Sequence, residues 1–399
     1  MTDLLLRAAR VWGHPGATDL RIRAGHVAEI GTGLAPAPGD AVEDLPDALL
    51  LPGLVDSHAH LDKTLMGGPW VPHESGPGLI GKIRNGQERR SELGIPDPRY
   101  IGTLARRMVA LGTTHVRSHV DVDPLLGIDA VHAVREAVAG LGGALTAELV
   151  AFPQAGLLTA PGTEGLLADA LEAGVEIIGG IDPAGLDNDP VRHLDVVFGL
   201  AERFGVGVDI HLHDGGSLGA WQFGLIIERT RALGLAGKVT ISHAFALHDA
   251  DAATRVRLID GLAEAGVSLT SVAPVRVLPL ADLRAAGVPM GLGNDGIRDL
   301  WSPFGTGDML ERAMFCAKNS GYATDPLIET ALDAATSGGA RVMGITGYGL
   351  SVGAAADVVA VPARTAAEAV VMRPTRTLVV KGGVVVARNG EYLEDHPAV

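Results

Sequence analysis

The sequence predicts an α/β protein: a (β/α)8 TIM-like barrel with a small β-sandwich formed by the N- and C-terminal segments. Three observations predict it. From residue 50 to about 300, short β-branched runs alternate with amphipathic stretches of helical period. These runs number eight, the count that closes such a barrel, and active sites of that architecture lie at the C-terminal ends of the strands. Finally, the two termini carry short apolar runs separated by Gly and Asn turns, with little helical period.

In order, the runs are LLPGLVDSH (50–58), THVRSHVDV (114–122), LTAELVAFPQ (145–154), VEIIGGIDP (175–183), VGVDIHLH (206–213), KVTISHA (238–244), VSLTSVAP (267–274) and VPMGLGND (288–295). Helical stretches separate them, among them PRYIGTLARRMVALG, IDAVHAVREAVAGLG, VRHLDVVFGLAERFG and SLGAWQFGLIIERTRALG, which all end in Gly, as helix C-termini often do. The expected division is a barrel over 50–345 and a sandwich made of 1–49 and 346–399.

Composition bounds the function. The chain has 399 residues, is 47% hydrophobic and carries a formal net charge of −15. Such an acidic balance argues against binding nucleic-acid phosphates or an anionic membrane surface, and favours a small neutral or cationic partner. The single cysteine, Cys316, excludes an internal disulfide framework and a thiolate-rich zinc site, and reads as a small buried hydrophobe. MTDLLLRAARVWG has no secretory pattern, and no apolar run approaches the roughly 18 residues that span a bilayer. A cytoplasmic protein, assembled as a homo-oligomer, is expected.

The ionisable residues fall at the ends of the runs. The first ends in His58-Ala-His60, the fifth in His211-Leu-His213-Asp214, the sixth in Ser242-His243 and the eighth in Asn294-Asp295. Histidines at i and i+2 of an extended segment project to one side, so His58 and His60 suit one metal ion. With His211 and Asp295 they make a nitrogen and carboxylate set fit for one divalent ion, Zn2+ or Fe2+, with a position left for water. His-x-His alone is weak evidence and Asp295 alone resembles a turn residue; their combination at successive strand ends carries the reading. His119 is expected as a hydrogen-bond partner to a ligand. Trp70, Trp221 and Trp301 are candidates for lining a pocket.

LPGLVDSHAHLDK, RSHVDVD, VAFPQAG, IHLHD, SHA and GNDGIRDLWSPFGTGDML together resemble the amidohydrolase superfamily, in its cytosine deaminase-like branch and nearest the s-triazine aminohydrolases. The resemblance runs through nearly the whole barrel. It implies one divalent metal on His58, His60, His211 and Asp295, with His243 on the attacking water or the tetrahedral intermediate and Gln154 on the edge of the ring. Two positions depart from the cytosine deaminases: Asp214 stands where they carry Glu, and Gly296 where they carry a second Asp. Cytosine is therefore not the expected substrate. The s-triazine-like pattern adds Lys63 and Asp182.

The expected activity is release of ammonia or an alkylamine from a polar nitrogen heterocycle of triazine, pyrimidine or creatinine type. In that chemistry Asp295 accepts a proton from water, while His213 or Asp214 passes one to the leaving nitrogen. An imidazole titrates near pH 6.5 and a carboxylic acid near 4, so His213 is the better match. His243 and Lys63 stabilise developing charge, and Trp301 is a further substrate contact. The alternatives are hydrolysis of a cyclic or exocyclic amide at the same centre, and a catalytically silent barrel used for binding or assembly.

Overall fold

The computed structural model describes residues 3–74, 76, 78–273 and 275–399. Its strands are β1 (Asp3–Val11), β2 (Ala17–Arg23), β3 (His26–Gly31), β4 (Asp40–Asp44), β5 (Leu49–Pro52), β6 (Leu54–His60), β7 (Thr113–Asp121), β8 (Thr146–Phe152) and β9 (Ile177–Ile181). They continue with β10 (Gly207–His211), β11 (Val239–Ser242), β12 (Val267–Ser271), β13 (Met290–Leu292), β14 (Asp295–Gly296), β15 (Val358–Val361), β16 (Leu378–Lys381), β17 (Val384–Arg388) and β18 (Glu391–Tyr392).

β6 to β12 pair in parallel in sequence order, each with its successor. β13 pairs with β12 and β14 with β6, and these two short strands lie on one segment interrupted at Gly293-Asn294. The eighth run therefore joins the seventh to the first, and the parallel sheet curls round on itself. Each of the eight expected runs contributes; Pro274, the last residue of the seventh, lies outside the described residues. Strands buried on both faces need continuous apolar character, which the β-branched runs supply. Of the helices between them, Pro98–Ala110 and Pro190–Phe204 start on Asp97 and Asp189, whose side chains cap the backbone at Arg99 and Arg192. The glycines that close the four quoted helical stretches, 112, 142, 205 and 234, all adopt positive φ.

The first run divides. Leu49–Pro52 pairs with β1 and β15, whereas Leu54–His60 enters the barrel. The break is at Gly53, where a Cβ would stand 2.3 Å from Thr114 Oγ1. β1 to β5 and β15 to β18 form a second nine-stranded sheet, drawn from both ends of the chain. It has its own apolar core, with Leu4, Leu6, Leu20, Ile22, Val358 and Val380 among its members. Among the described residues no helix is long and apolar enough to cross a membrane. Cys316 is buried, and burial pushes its thiol up to about 12, consistent with a packing role.

Asp357, next to β15, ties this sheet to the barrel: it accepts from Lys381 Nζ at 2.8 Å and lies 2.9 Å from His115 Nε2 on β7. Burial opposes its charge, but His115 and Lys381 outweigh that and hold its carboxyl at about 2. Its folded value lies below the ordinary one near 4, so the stabilisation is complete above pH 4 and is lost as the pH falls toward 2. It amounts to roughly 2 kcal/mol. Urea unfolding at pH 7 and pH 3 is expected to show this loss in the wild type, and Asp357→Asn to remove most of it. An Asp357→Asn protein with unchanged pH dependence would refute the assignment.

Candidate active site

The C-terminal ends of the barrel strands open into a cavity of about 500 Å3. β6 brings His58 and His60, β10 ends on His211, and β14 begins with Asp295. His60 Nε2 lies 3.2 Å from His211 Nε2 and 3.3 Å from Asp295 Oδ1, and His58 Nε2 lies 3.7 Å from the same oxygen. Donors about 2.0–2.1 Å from a tetrahedral ion stand about 3.4 Å apart, so this spacing suits one small divalent cation.

The tautomer of His58 supports the same fit. Ser242 Oγ donates to Asp209 Oδ1 at 2.6 Å, so its oxygen is left to accept from His58 Nδ1–H at 3.0 Å. The His58 Nε2 lone pair then faces the other donors, and that atom is buried without a hydrogen-bond partner. Asp209 is held in turn by Arg117 at 3.0 Å, whose guanidinium also meets Glu148 and Thr240 inside the barrel. Burial and neighbouring charge bring His60 down to about 3, and burial with the surrounding imidazoles holds His211 well below its usual value. Both therefore present lone pairs. Burial opposes the charge of Asp295, but the imidazoles of His58, His60 and His243 keep its carboxyl well below the usual range.

Next to these donors stand two further imidazoles. His213 and His243 lie 4.0 Å apart by ring centroid, both against Phe245. His213 Nδ1 lies 2.8 Å from Asp182 Oδ2, and Asp182 Oδ1 accepts from the His213 backbone N–H at 2.6 Å. Burial lowers the affinity of His213 for a proton, but Asp182 more than reverses this and raises its pKa above the usual value. His243 behaves in the opposite way: burial and the neighbouring His213 hold it well below the usual value, and among the described residues neither of its ring nitrogens has a partner. Asp182, His243 and Asp295 all adopt positive φ, at 33°, 66° and 61°. Non-glycine residues are costly there, and such strain persists mainly where function requires the geometry.

Lys63, in the turn after β6, lies 2.9 Å from Asp121 Oδ1, contacts Gln154 Oε1, and has its ammonium 5.6 Å from the centroid of Trp301. Lys63, Gln154 and Trp301 all line the cavity. Asp214 turns away: its Oδ2 accepts from the Gly185 backbone N–H and from Gln222 Nε2, each at 2.9 Å. Trp70 and Trp221 lie outside the cavity lining, at 64% and 50% exposure. His119 packs 4.2 Å from the His58 ring without a hydrogen bond to it, because Ser242 has taken that place.

Sequence reasoning missed Asp209, Ser242 and Asp299. Asp209 lies two residues before His211, so the alternation that selected His58 and His60 could have found it. Asp299 could not have been found that way. Its carboxylate accepts from the backbone of Trp301 and Ser302 at 2.8 Å each, and it fills the space where a Cβ on Gly296 would stand, 2.1 Å from Asp299 Oδ2. The absence of a side chain at 296 is therefore matched by a carboxylate three residues on.

Comparison with known proteins agrees with this geometry. Residues 97–387 match the amidohydrolase family. The chain is 30% identical to N-isopropylammelide isopropyl amidohydrolase of Pseudomonas sp. (strain ADP), over 97% of this chain and 98% of that protein. It superposes with a TM-score of 0.93 on the crystal structure of N-isopropylammelide isopropylaminohydrolase from Burkholderia multivorans ATCC 17616, at 46% identity, covering 98% of this chain and 100% of that one. A 5-methylcytosine deaminase from Klebsiella pneumoniae, liganded with 5-fluorocytosine, follows with a TM-score of 0.84 at 26% identity, covering 96% and 97%. With the family match spanning most of the chain and a relative aligned almost end to end, this chain belongs to the amidohydrolase family.

Proposed function

We propose that the protein is a hydrolase of non-peptide C–N bonds that releases ammonia or an alkylamine from a polar nitrogen heterocycle of the triazine, pyrimidine or creatinine type. The observation that carries this reading is the cluster of His58, His60, His211 and Asp295 beside an imidazole, His213, that Asp182 orients and whose proton affinity it raises. Similarity to the two isopropylammelide hydrolases supports it. The same reading takes residues 50–345 as the catalytic barrel and residues 1–49 with 346–399 as a two-layered sandwich, supported by the separate apolar core of the terminal strands.

His58, His60, His211 and Asp295 would hold one divalent ion, Zn2+ or Fe2+, which would supply Lewis acidity and lower the pKa of water toward neutrality. The chain's own residues do the rest. The Asp295 carboxylate accepts the proton that the attacking water gives up. His243, neutral and without a partner among the described residues, hydrogen-bonds the attacking water and the tetrahedral intermediate that it forms. His213, its Nδ1–H held by Asp182, delivers the Nε2 proton to the departing nitrogen, which leaves as a neutral amine. Lys63, Gln154 and Trp301 hold the ring.

The test is amine release by the purified, metal-loaded protein across cytosine, creatinine, ammelide and N-alkyl ammelides, with metal content measured in parallel. Stoichiometric Zn or Fe with turnover of at least one ring is the expected result; no bound metal together with no amine release would refute the proposal. Ser242→Ala bears on the metal site alone. Without the hydroxyl that fixes the His58 tautomer, affinity for Zn2+ is expected to fall about 10–100-fold in competition with a chelating dye. An unchanged affinity would show that Ser242 does not position His58.

A further inference from the structure

Between β6 and the first barrel helix the chain inserts a helix, Gly78–Leu93. Lys82, Gly86 and Arg90 stand at i, i+4 and i+8, along one face. Each makes a specific approach to the top of the barrel. Arg90 forms a two-pronged ion pair with Asp123, with Nη1 and Nη2 each 2.7 Å from a carboxylate oxygen, and this pair is buried. Gly86 faces the indole, where even a Cβ would be in ordinary contact, 3.8 Å from Trp301 Nε1. Lys82 lines the same cavity as His213 and His243, with its ammonium 5.7 Å from the Trp301 centroid.

The other cations of the cavity wall are committed. Lys63 is paired with Asp121, while Arg312 donates to Asn294 Oδ1 at 3.0 Å and to the Ala273 carbonyl at 2.9 Å. Among the described residues the Lys82 ammonium has only the face of Trp301. A cation held over an aromatic ring keeps its hydrogen-bonding protons available to a ligand.

We propose that Lys82 is a specificity-determining residue, which binds an electron-rich oxygen on the ring of the substrate, and that Arg90 positions it by pinning the helix to Asp123. An ammonium offers three donors and no acceptor, so Lys82 selects rings bearing oxo or enolate oxygens over rings bearing amino groups at the same edge. The formal charge of −15 pointed to a neutral or cationic partner; the Lys82 ammonium at the Trp301 end of the cavity favours an oxygen-bearing one. This inference rests on the aminohydrolase reading above and adds to it the substituent pattern of the ring.

The experiment compares Lys82→Met and Lys82→Arg with the wild type in the full-length, metal-loaded protein. The readouts are steady-state kinetics on ammelide and calorimetric binding of cyanuric acid, a ring whose three substituents are all oxygens. Lys82→Met is expected to raise KM about 10–100-fold, the range for a hydrogen bond to a charged group, and to weaken cyanuric acid binding in parallel. Its kcat is expected to stay within about three-fold of wild type and its metal content unchanged, and Lys82→Arg to recover most of the affinity. Unchanged KM and unchanged cyanuric acid affinity in Lys82→Met would overturn the proposal, as would a loss confined to kcat. A wild type that binds cyanuric acid yet releases no amine would defeat the aminohydrolase reading, leaving binding to decide Lys82. A wild type that does neither would defeat both.

Discussion

Removal of the divalent ion is expected to lower amine release by about 10³-fold or more, and Asp295→Asn to lower it at least as far. Lewis-acid stabilisation is worth several kcal/mol, and each 1.36 kcal/mol is about tenfold in rate. Asp295 matters twice in the proposed mechanism, since its Oδ1 faces both His58 and His60 and its carboxylate is the proposed acceptor of the water's proton. The asparagine keeps the volume and removes the charge, so the loss is not a packing effect. Chelation followed by re-addition of Zn2+ or Fe2+, with metal content and amine release measured on the same samples, checks both statements. Metal-free protein that retained turnover would remove the basis of the mechanism.

The second large effect separates two neighbours. His213→Ala is expected to cost about 10²–10⁴-fold in kcat, the usual worth of a positioned general acid, with metal content retained. Asp182→Asn is expected to act in the same direction, because the imidazole loses the carboxylate that orients it and holds its proton. Asp214→Ala is expected to cost less than about tenfold, since that carboxylate binds Gly185 and Gln222 and does not line the cavity. Amine release by the three variants on one substrate is decisive. A large loss from Asp214→Ala alone would move the proton-transfer role from His213 to Asp214.

The eight barrel runs and the cluster of His58, His60, His211 and Asp295 were legible because both follow local rules. Strands buried on two faces are mostly apolar, so a concentration of ionisable residues at their ends stands out; two charges that do lie along them, Arg117 and Asp209, are paired with each other. The helix Gly78–Leu93 was not legible. Only Ile83 and Arg90 on it are buried, so GLIGKIRNGQERRSEL carries no apolar stripe, and a helix over the mouth of a barrel needs none. Lys82 was missed with it.

Sequence alone determined which residue types stand at which strand ends, because alternation and helical period are properties of neighbouring residues. It favoured His213 over Asp214 by the imidazole's ordinary pKa, but the two stand one residue apart at the same strand end. Tertiary structure gives them different surroundings, since Asp182 arrives from the end of β9 to take the His213 ring while Gly185 and Gln222 take the Asp214 carboxylate. It likewise supplied Ser242 and Asp209 to His58, Asp299 to the space beside Gly296, and Lys82 to Trp301. Apart from Asp299, three residues from Gly296, each of these contacts joins residues from different elements, and neither partner's own neighbours record the other.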